Sequence, residues 1–456
     1  MRVAFRTLGC KVNQFETGAL ERLLITRGHT VTSWANPADA YVINTCTVTA
    51  VSDKKSRQAI RGVRRKYPDA VVAVCGCLGQ AAPGVLLSLG ADLVAGTGDR
   101  LEFINLLEQT VRSDGRPRAV VVDAAAHKTF ERLPAGSSSG RTRALLKVQD
   151  GCQNQCAYCV IPQVRGPERS LPPEEAAGEA ARLAAEGYRE IVITGIEISS
   201  YGCDLECDID LIGLVERVCR AARGARVRLG SLAPSAVTRA FAERLPSLPN
   251  LCPHFHLSLQ SGCDDTLARM RRRYDTARYF EVLSLLRGAF PDCAVTTDLI
   301  VGFPGETEEE FAQSLLFAER CAFADMHVFP YSRRAGTPAA SFSCQISRAD
   351  KKIRAARADK LAAQMAQTFA RRCVGRVFEV LFEEEVEDGG RGHAENYRVV
   401  TCAHTDGAAL RGRIRPVRVT GVRNVRELSG EIIEEEPITQ TPLEPNPPSP
   451  RSLSVT

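Results

Sequence analysis

Ten residues, 150–159, carry three thiols at the spacing Cys152-x3-Cys156-x2-Cys159. That spacing lets all three turn onto one face of a tight loop. Iron–sulfur clusters are held by cysteine thiolates, and four ligands complete a cubane of four irons. Three leave one iron open, and a small molecule carrying an amine and a carboxylate can chelate it. Zinc prefers four ligands, usually as paired C-x2-C units, and no second pair follows in register. The loop therefore predicts a cluster with one vacant coordination position, at the end of a strand.

The residues before it alternate strand and helix, which predicts a mostly parallel sheet with covering helices. Residues 2–8 read as a strand ending at Gly9-Cys10. Asn13 and Glu16 have capping-box spacing, and a helical pattern through Leu20, Leu23 and Leu24 ends at Gly28. A strand around 41–43 runs into Asn44-Thr45-Cys46, and one at 71–74 into Cys75-Gly76-Cys77. Ligand sites in such sheets gather at the carboxyl ends of the strands. Cys10, Cys46 and either Cys75 or Cys77 are thus expected to meet on one edge as a second metal-binding triplet.

A linker is expected over 125–142, around Pro134-Ala135-Gly136-Ser137, separating this domain, 1–124, from a central one at 143–372. There, apolar strands recur at 144–148, 190–194, 227–231, 254–259, 295–301 and 326–329 with helical patterns between. The repeat predicts a partial (β/α)6 barrel whose chemistry lies at the strand ends. Thr194, Gly195, Ser231, Ser258, Gln260 and Asp298 stand there, able to hydrogen-bond ribose, amino or carboxylate groups.

From 373 to 432 the pattern changes to short strands, at 377–382, 397–401 and 417–422, predicting a small antiparallel β-barrel. Arg411, Arg413, Arg415 and Arg418 begin a sixteen-residue run without an acid, a candidate nucleic-acid surface. A net charge of +5 permits that partner without requiring it. Residues 433–456 are rich in proline and are expected to be disordered. Seventeen cysteines without a signal peptide imply a reduced, cytoplasmic setting, and no run of about 18 apolar residues occurs to span a membrane.

Taken as strings, these segments resemble the methylthiotransferases of the radical S-adenosylmethionine (SAM) superfamily from residue 1 to about 430. They are Leu8-Gly-Cys-Lys-Val-Asn-Gln-Phe-Glu16, Asn44-Thr-Cys-Thr-Val-Thr49, Gly76-Cys77 and the cysteine loop with Val160-Ile161-Pro162. Thr194-Gly-Ile-Glu-Ile-Ser-Ser-Tyr-Gly202, His256-Leu-Ser-Leu-Gln-Ser-Gly262, Thr297-Asp-Leu-Ile-Val-Gly-Phe-Pro-Gly-Glu-Thr307 and His327-Val-Phe-Pro-Tyr-Ser332 complete the set. The wording is most similar to the branch acting on N6-threonylcarbamoyladenosine of tRNA, with Gly392-His393 and Asn396-Tyr397 resembling its RNA-binding TRAM module.

The resemblance implies that Cys152, Cys156 and Cys159 hold the cluster that binds SAM. It implies that Cys10, Cys46 and Cys77 hold an auxiliary 4Fe–4S cluster, which leaves Cys75 as the extra thiol. Glu197 joins the SAM contacts through its matched string. The implied reaction is methylthiolation of C2 of adenosine 37 in the anticodon loop, using two equivalents of SAM, a reduced electron donor and a sulfur donor. Alternatives are the same chemistry on N6-isopentenyladenosine or a ribosomal-protein aspartate, or a non-catalytic iron–sulfur RNA-binding protein.

Overall fold

Every position of the strand Ala40–Thr45 is buried, as befits a parallel strand covered on both faces. It lies inside an all-parallel six-stranded sheet. The order is Thr30–Thr32, Arg2–Thr7, Ala40–Thr45, Val71–Gly76, Leu93–Ala95 and Arg118–Val120. The computed structural model describes residues 1–113, 117–136, 142–387, 389–403 and 409–433. Leu20 and Leu24 of the helix Lys11–Thr26 pack with Phe103 and Ile104 of Arg100–Arg112 on one face. Ile60 and Val63 of Ala50–Lys66 pack with Leu86 of Pro83–Ser88 on the other. The three-to-four-residue spacing of these apolar positions is what gives each helix one buried stripe.

Six parallel strands form the central domain as an open arc, counting Arg226–Leu229 and Ser231–Leu232 as one strand interrupted at Gly230. Arg143–Lys147, Glu190–Thr194 and Arg226–Leu229 make one sheet; Ser231–Leu232, His254–Leu257, Ala294–Val301 and Asp325–Pro330 make the next. Gly230 joins them: its amide donates to the Ile193 carbonyl at 2.8 Å, and a Cβ there would stand 2.9 Å from that oxygen. The arc is the expected partial (β/α)6 barrel.

The C-terminal domain is a closed five-stranded barrel, in the order Val377–Val386, Gly389–Ala394, Val399–Ala403, Glu427–Ile432 and Ile414–Asn424. Two of these strands, Gly389–Ala394 and Glu427–Ile432, are invisible to hydrophobic alternation because glycines and charges break the pattern. At Gly392 a Cβ would fall 1.9 Å from the Leu381 carbonyl, so the glycine permits the strand pairing. Four of its five pairings are antiparallel, as expected, and one is not. Val399–Ala403 and Glu427–Ile432 pair in parallel and close the barrel.

Two further expectations change. The helix Lys11–Thr26 starts with Cys10 at its N-cap, so Asn13 and Glu16 are not a capping box. Asn13 instead donates to the carbonyls of Leu8 and Thr45 at 3.0 and 2.8 Å, and Glu16 is wholly buried among cations. A capping box with both halves made stands at Thr307 and Glu310. Within the expected linker, Phe130 and Ala135 pack into the central core. Residues 137–141, and 434–456 of the proline-rich tail, lie outside the described residues. Among the described residues no helix is long and apolar enough to cross a membrane.

Candidate active site

Cys10, Cys46 and Cys77 follow three strands that are neighbours in one parallel sheet, so their positions share the carboxyl edge. Gly9 and Gly76 have φ of +120° and +93°, which only glycine adopts at little cost. A Cβ on Gly9 would meet the Cys46 Cβ at 2.7 Å and its Sγ at 3.2 Å, so the missing methyl is what lets the two thiol loops approach. Cys75 is buried with Leu20, Leu93, Phe103 and Leu107 in the apolar layer under the helices. Cys77 packs against Val160, Ile161 and Val164, the segment that leaves Cys159. The edge of one domain and the loop of the other are thereby in direct contact.

Burial pushes the Cys77 thiol up to about 12, so an isolated thiolate there would be costly. The strongest charge opposing that push is Arg165. Its guanidinium reaches Glu16, the Asn13 Oδ1 at 3.0 Å and Asp150 at 3.4 Å, while its Nε is buried without a hydrogen-bond partner among the described residues. Arg165 belongs to a sealed array at the domain boundary. Arg100, Lys147, Arg165 and Arg169 pair with Glu16 and Asp150, and no side chain in that set is more than 6% exposed, while Glu131 also faces Arg100. Four cations against three carboxylates leave positive charge beside Cys77. A thiolate-ligated, anionic iron–sulfur cluster fits that surplus and the three-thiol donor set.

The second triplet sits on a loop pinned at both ends. The Cys152 amide donates to Gly166 at 3.0 Å and the Ala157 amide to Met270 at 2.9 Å. At Gly151, φ is +76° and a Cβ would fall 1.8 Å from the Pro167 carbonyl. Cys152, Cys156 and Cys159 line a cavity of 650 Å³ with Gln163, Arg271 and Gly336. Arg272 donates to the Cys156 Sγ at 3.2 Å and lies over the Tyr274 ring, 4.9 Å from its centroid. Burial pushes the thiols of Cys152 and Cys159 up to about 11 and about 12, so an isolated thiolate is disfavoured at both.

All three domains meet at a further cavity of 630 Å³. The sheet edge contributes Cys10 and Lys11, the arc Thr194, Gly195, Ser231 and Asp298, and the barrel His393, Asn396 and Tyr397. Four of the expected SAM contacts thus share one lining. Ser258, Gln260 and Glu197 lie outside it. The Ser258 carbonyl accepts from the Tyr274 hydroxyl at 2.8 Å, and the Gln260 amide donates to the Asp298 carbonyl at 2.9 Å. Burial raises the Glu197 carboxyl, which interacts with Arg272 and Cys152.

The cavity floor also carries a network that motif reading missed. His254 and His256 share the Thr296 hydroxyl at 3.1 and 3.0 Å, and Asp298 bridges His256 and His327 at 3.3 Å each. Burial would raise Asp298, but bonds from both histidines hold it well below the carboxylate range; that same bond raises His327. The signal was available: polar residues two apart on adjacent strands, 254 with 256 and 296 with 298, share one face.

The arginine run divides. Val417 and Val419 point into the barrel, which turns Arg418 outward; Arg411 and Arg413 are exposed and Arg415 is half-buried. Arg426 is drawn back to Asp325 at 3.0 Å on the cavity wall.

Comparison with known proteins adds independent findings. Residues 146–318 match the Radical SAM superfamily, and residues 2–96 match a group described as Uncharacterized protein family UPF0004. The chain is similar to the threonylcarbamoyladenosine tRNA methylthiotransferase MtaB of Bacillus subtilis (strain 168), at 39% identity over 91% of this chain and 93% of that protein. The protein of that name in Thermotoga maritima is 35% identical over 87% and 90%. The tRNA-2-methylthio-N(6)-dimethylallyladenosine synthase of Symbiobacterium thermophilum is 33% identical over 96% and 95%. In fold, the chain is similar to the radical SAM methyltransferase TsrM of Kitasatospora setae, with a TM-score of 0.55 and 14% identity over 83% of this chain and 80% of that one.

Proposed function

Because this chain belongs to the radical SAM tRNA methylthiotransferases, we propose that its substrate is N6-threonylcarbamoyladenosine at position 37 of the tRNA anticodon loop, modified at C2. The observation that carries this reading is the cavity walled by all three domains and lined by Cys10, the strand ends of the arc and the C-terminal barrel. Cys152, Cys156 and Cys159 would hold the 4Fe–4S cluster that binds SAM; Cys10, Cys46 and Cys77 would hold a second. When bound, the clusters and two equivalents of SAM supply one-electron chemistry able to break an unactivated C–H bond, together with the sulfur and methyl group that replace the hydrogen. A reduced electron donor and a sulfur donor complete the requirements.

This chain's own residues bind, orient and exclude water. Thr194, Ser231 and Asp298 offer hydroxyl and carboxylate partners to a nucleoside, and Gly195 lets it approach the backbone. Arg272 steadies Cys156. Tyr397, held at φ +69° between His254 and His393 with ring centroids 4.6 and 4.9 Å away, fixes the barrel side of the cavity. Arg226 and Arg228 lock that barrel on by donating to the carbonyls of Glu379, His393 and Glu395, each at 2.8 Å.

Mass spectrometry of tRNA treated with the reduced, cluster-loaded protein tests the substrate. The expected product is the 2-methylthio derivative of N6-threonylcarbamoyladenosine. A product on N6-isopentenyladenosine alone would favour the second reading, which the 33% relative keeps in view. Arg411, Arg413, Arg415 and Arg418 would contact phosphates. Changing Arg413 and Arg415 together to Ala is expected to lower the slope of log affinity against log salt by about two. Binding titrations on tRNA across a salt series measure this, and an unchanged slope would remove both arginines from the interface.

A further inference from the structure

Lys11 opens the helix Lys11–Thr26 directly after Cys10, and its side chain lines the three-domain cavity. The other cations at that end of the cavity are committed. Arg226 and Arg228 hold Glu190 at 2.6 and 2.8 Å, Arg143 holds Glu383 at 2.7 Å, and Arg426 holds Asp325. His327 is bonded to Asp298, and Arg398 donates to the carbonyls of Ala324 and Ala366. Lys11 makes no ion pair, hydrogen bond or ring contact among the described residues. Four cations (Lys11, Arg143, Arg226, Arg228) face two carboxylates, Glu190 and Glu383. Glu395, which interacts with Arg226, is a third carboxylate, and the cations still outnumber the acids.

An ammonium that lines a cavity without an anionic partner is free to form a charge-assisted hydrogen bond with an anionic ligand that enters it. We infer that Lys11 reads a carboxylate carried by the ligand of this cavity, namely the one on the N6 substituent of the substrate adenosine. The inference rests on the substrate reading above and deepens it: an apolar N6 substituent would leave the ammonium bare, whereas a threonyl carboxylate completes the charge. Lys11 is therefore a specificity-determining residue rather than one that touches the reacting carbon. The methionyl carboxylate of SAM offers the same chemistry, so the test separates the two sources.

The full, cluster-loaded protein is titrated with three anticodon stem–loops in the absence of SAM. They carry N6-threonylcarbamoyladenosine, its neutral carboxamide, or unmodified adenosine. The wild type is expected to bind the carboxylate form about tenfold or more tighter than the carboxamide, the range of a charge-assisted hydrogen bond. Lys11→Met is expected to bind both alike, and Lys11→Arg to recover part of the preference, which separates charge from folding. SAM affinity of Lys11→Met, measured by equilibrium dialysis, is expected to match the wild type. A carboxylate preference that survives in Lys11→Met overturns the inference, and so does a loss confined to SAM binding. A wild type that neither distinguishes the three RNAs nor modifies the threonylcarbamoyl one overturns the substrate reading itself.

Discussion

Changing Cys10, Cys46 or Cys77 singly to Ala is expected to abolish methylthio transfer while cleavage of SAM to 5′-deoxyadenosine continues. Changing Cys152, Cys156 or Cys159 is expected to stop both. The asymmetry follows from where the triplets sit. Cys10 lines the three-domain cavity, whereas the central thiols line a separate opening, and the segment after Cys159 meets the sheet edge where Cys77 packs on Val160 and Val164. Losing an outer-shell partner of a metal ligand typically costs about 10–100-fold in affinity or activity, so losing a ligand outright should exceed that. Cys75→Ala is the internal control. Its thiol lies in the apolar layer with Leu20 and Phe103, so the change removes only packing and costs about 1 kcal/mol, with both activities kept. Anaerobic iron quantification, a 5′-deoxyadenosine assay and nucleoside mass spectrometry read the three consequences separately. Transfer that survives in Cys77→Ala but fails in Cys75→Ala would move the third ligand by two residues.

What the sequence makes legible here is what local spacing encodes. The cysteine loop, the strand–helix alternation and the arc of six strands each depend on residues within a few positions of one another. What stays hidden is set by partners far away. Glu16 has the spacing of a capping residue relative to Asn13, yet it answers to Arg165, 149 residues on, and no local pattern announces that pairing. Closure of the C-terminal barrel is similar: Gly389–Ala394 lacks alternation because Gly392 must admit the Leu381 carbonyl, and the parallel pairing with Glu427–Ile432 is a register between distant segments. Lys11 was legible as part of a motif string but not as a cavity cation, since that depends on every neighbouring carboxylate already being taken.

The second large effect is expected at Glu16. Glu16→Gln keeps the shape of the side chain and removes the charge that holds Arg100 at 2.9 Å, Lys147 at 3.5 Å and the Arg165 guanidinium in a region closed to water. Breaking a buried pair by removing one partner typically costs about 3–5 kcal/mol, because the remaining charge stays buried. Lys147, Arg165 and Arg169 would then share Asp150, and Arg100 would keep only Glu131, across the boundary between the sheet domain and the arc. Burial would push the Glu16 carboxyl up, but Arg100, Arg165 and Lys147 together outweigh it and hold the group at about 2 against 4.5 in the unfolded chain. A depressed carboxyl stabilises the fold above its unfolded value and loses that contribution as pH falls through 4.5 toward 2. The shift corresponds to about 3 kcal/mol, the same order as the mutational estimate. Unfolding midpoints of the wild type are therefore expected to drop steeply over that acid window, and Glu16→Gln to start lower and lose part of the slope. Ile60→Ala provides the contrast, since a cavity among Val63, Val72 and Leu86 costs about 2–5 kcal/mol without involving a titrating group, and should lower the midpoint while leaving the acid slope intact. Equal slopes in the wild type and Glu16→Gln would mean that the sealed array does not depend on the Glu16 charge. Glu16 adds to the upward push on Cys77 that Arg165 opposes, so removing its charge enlarges the positive surplus there, and folded Glu16→Gln is expected to keep its iron content, as Ile60→Ala does, a measurement independent of stability.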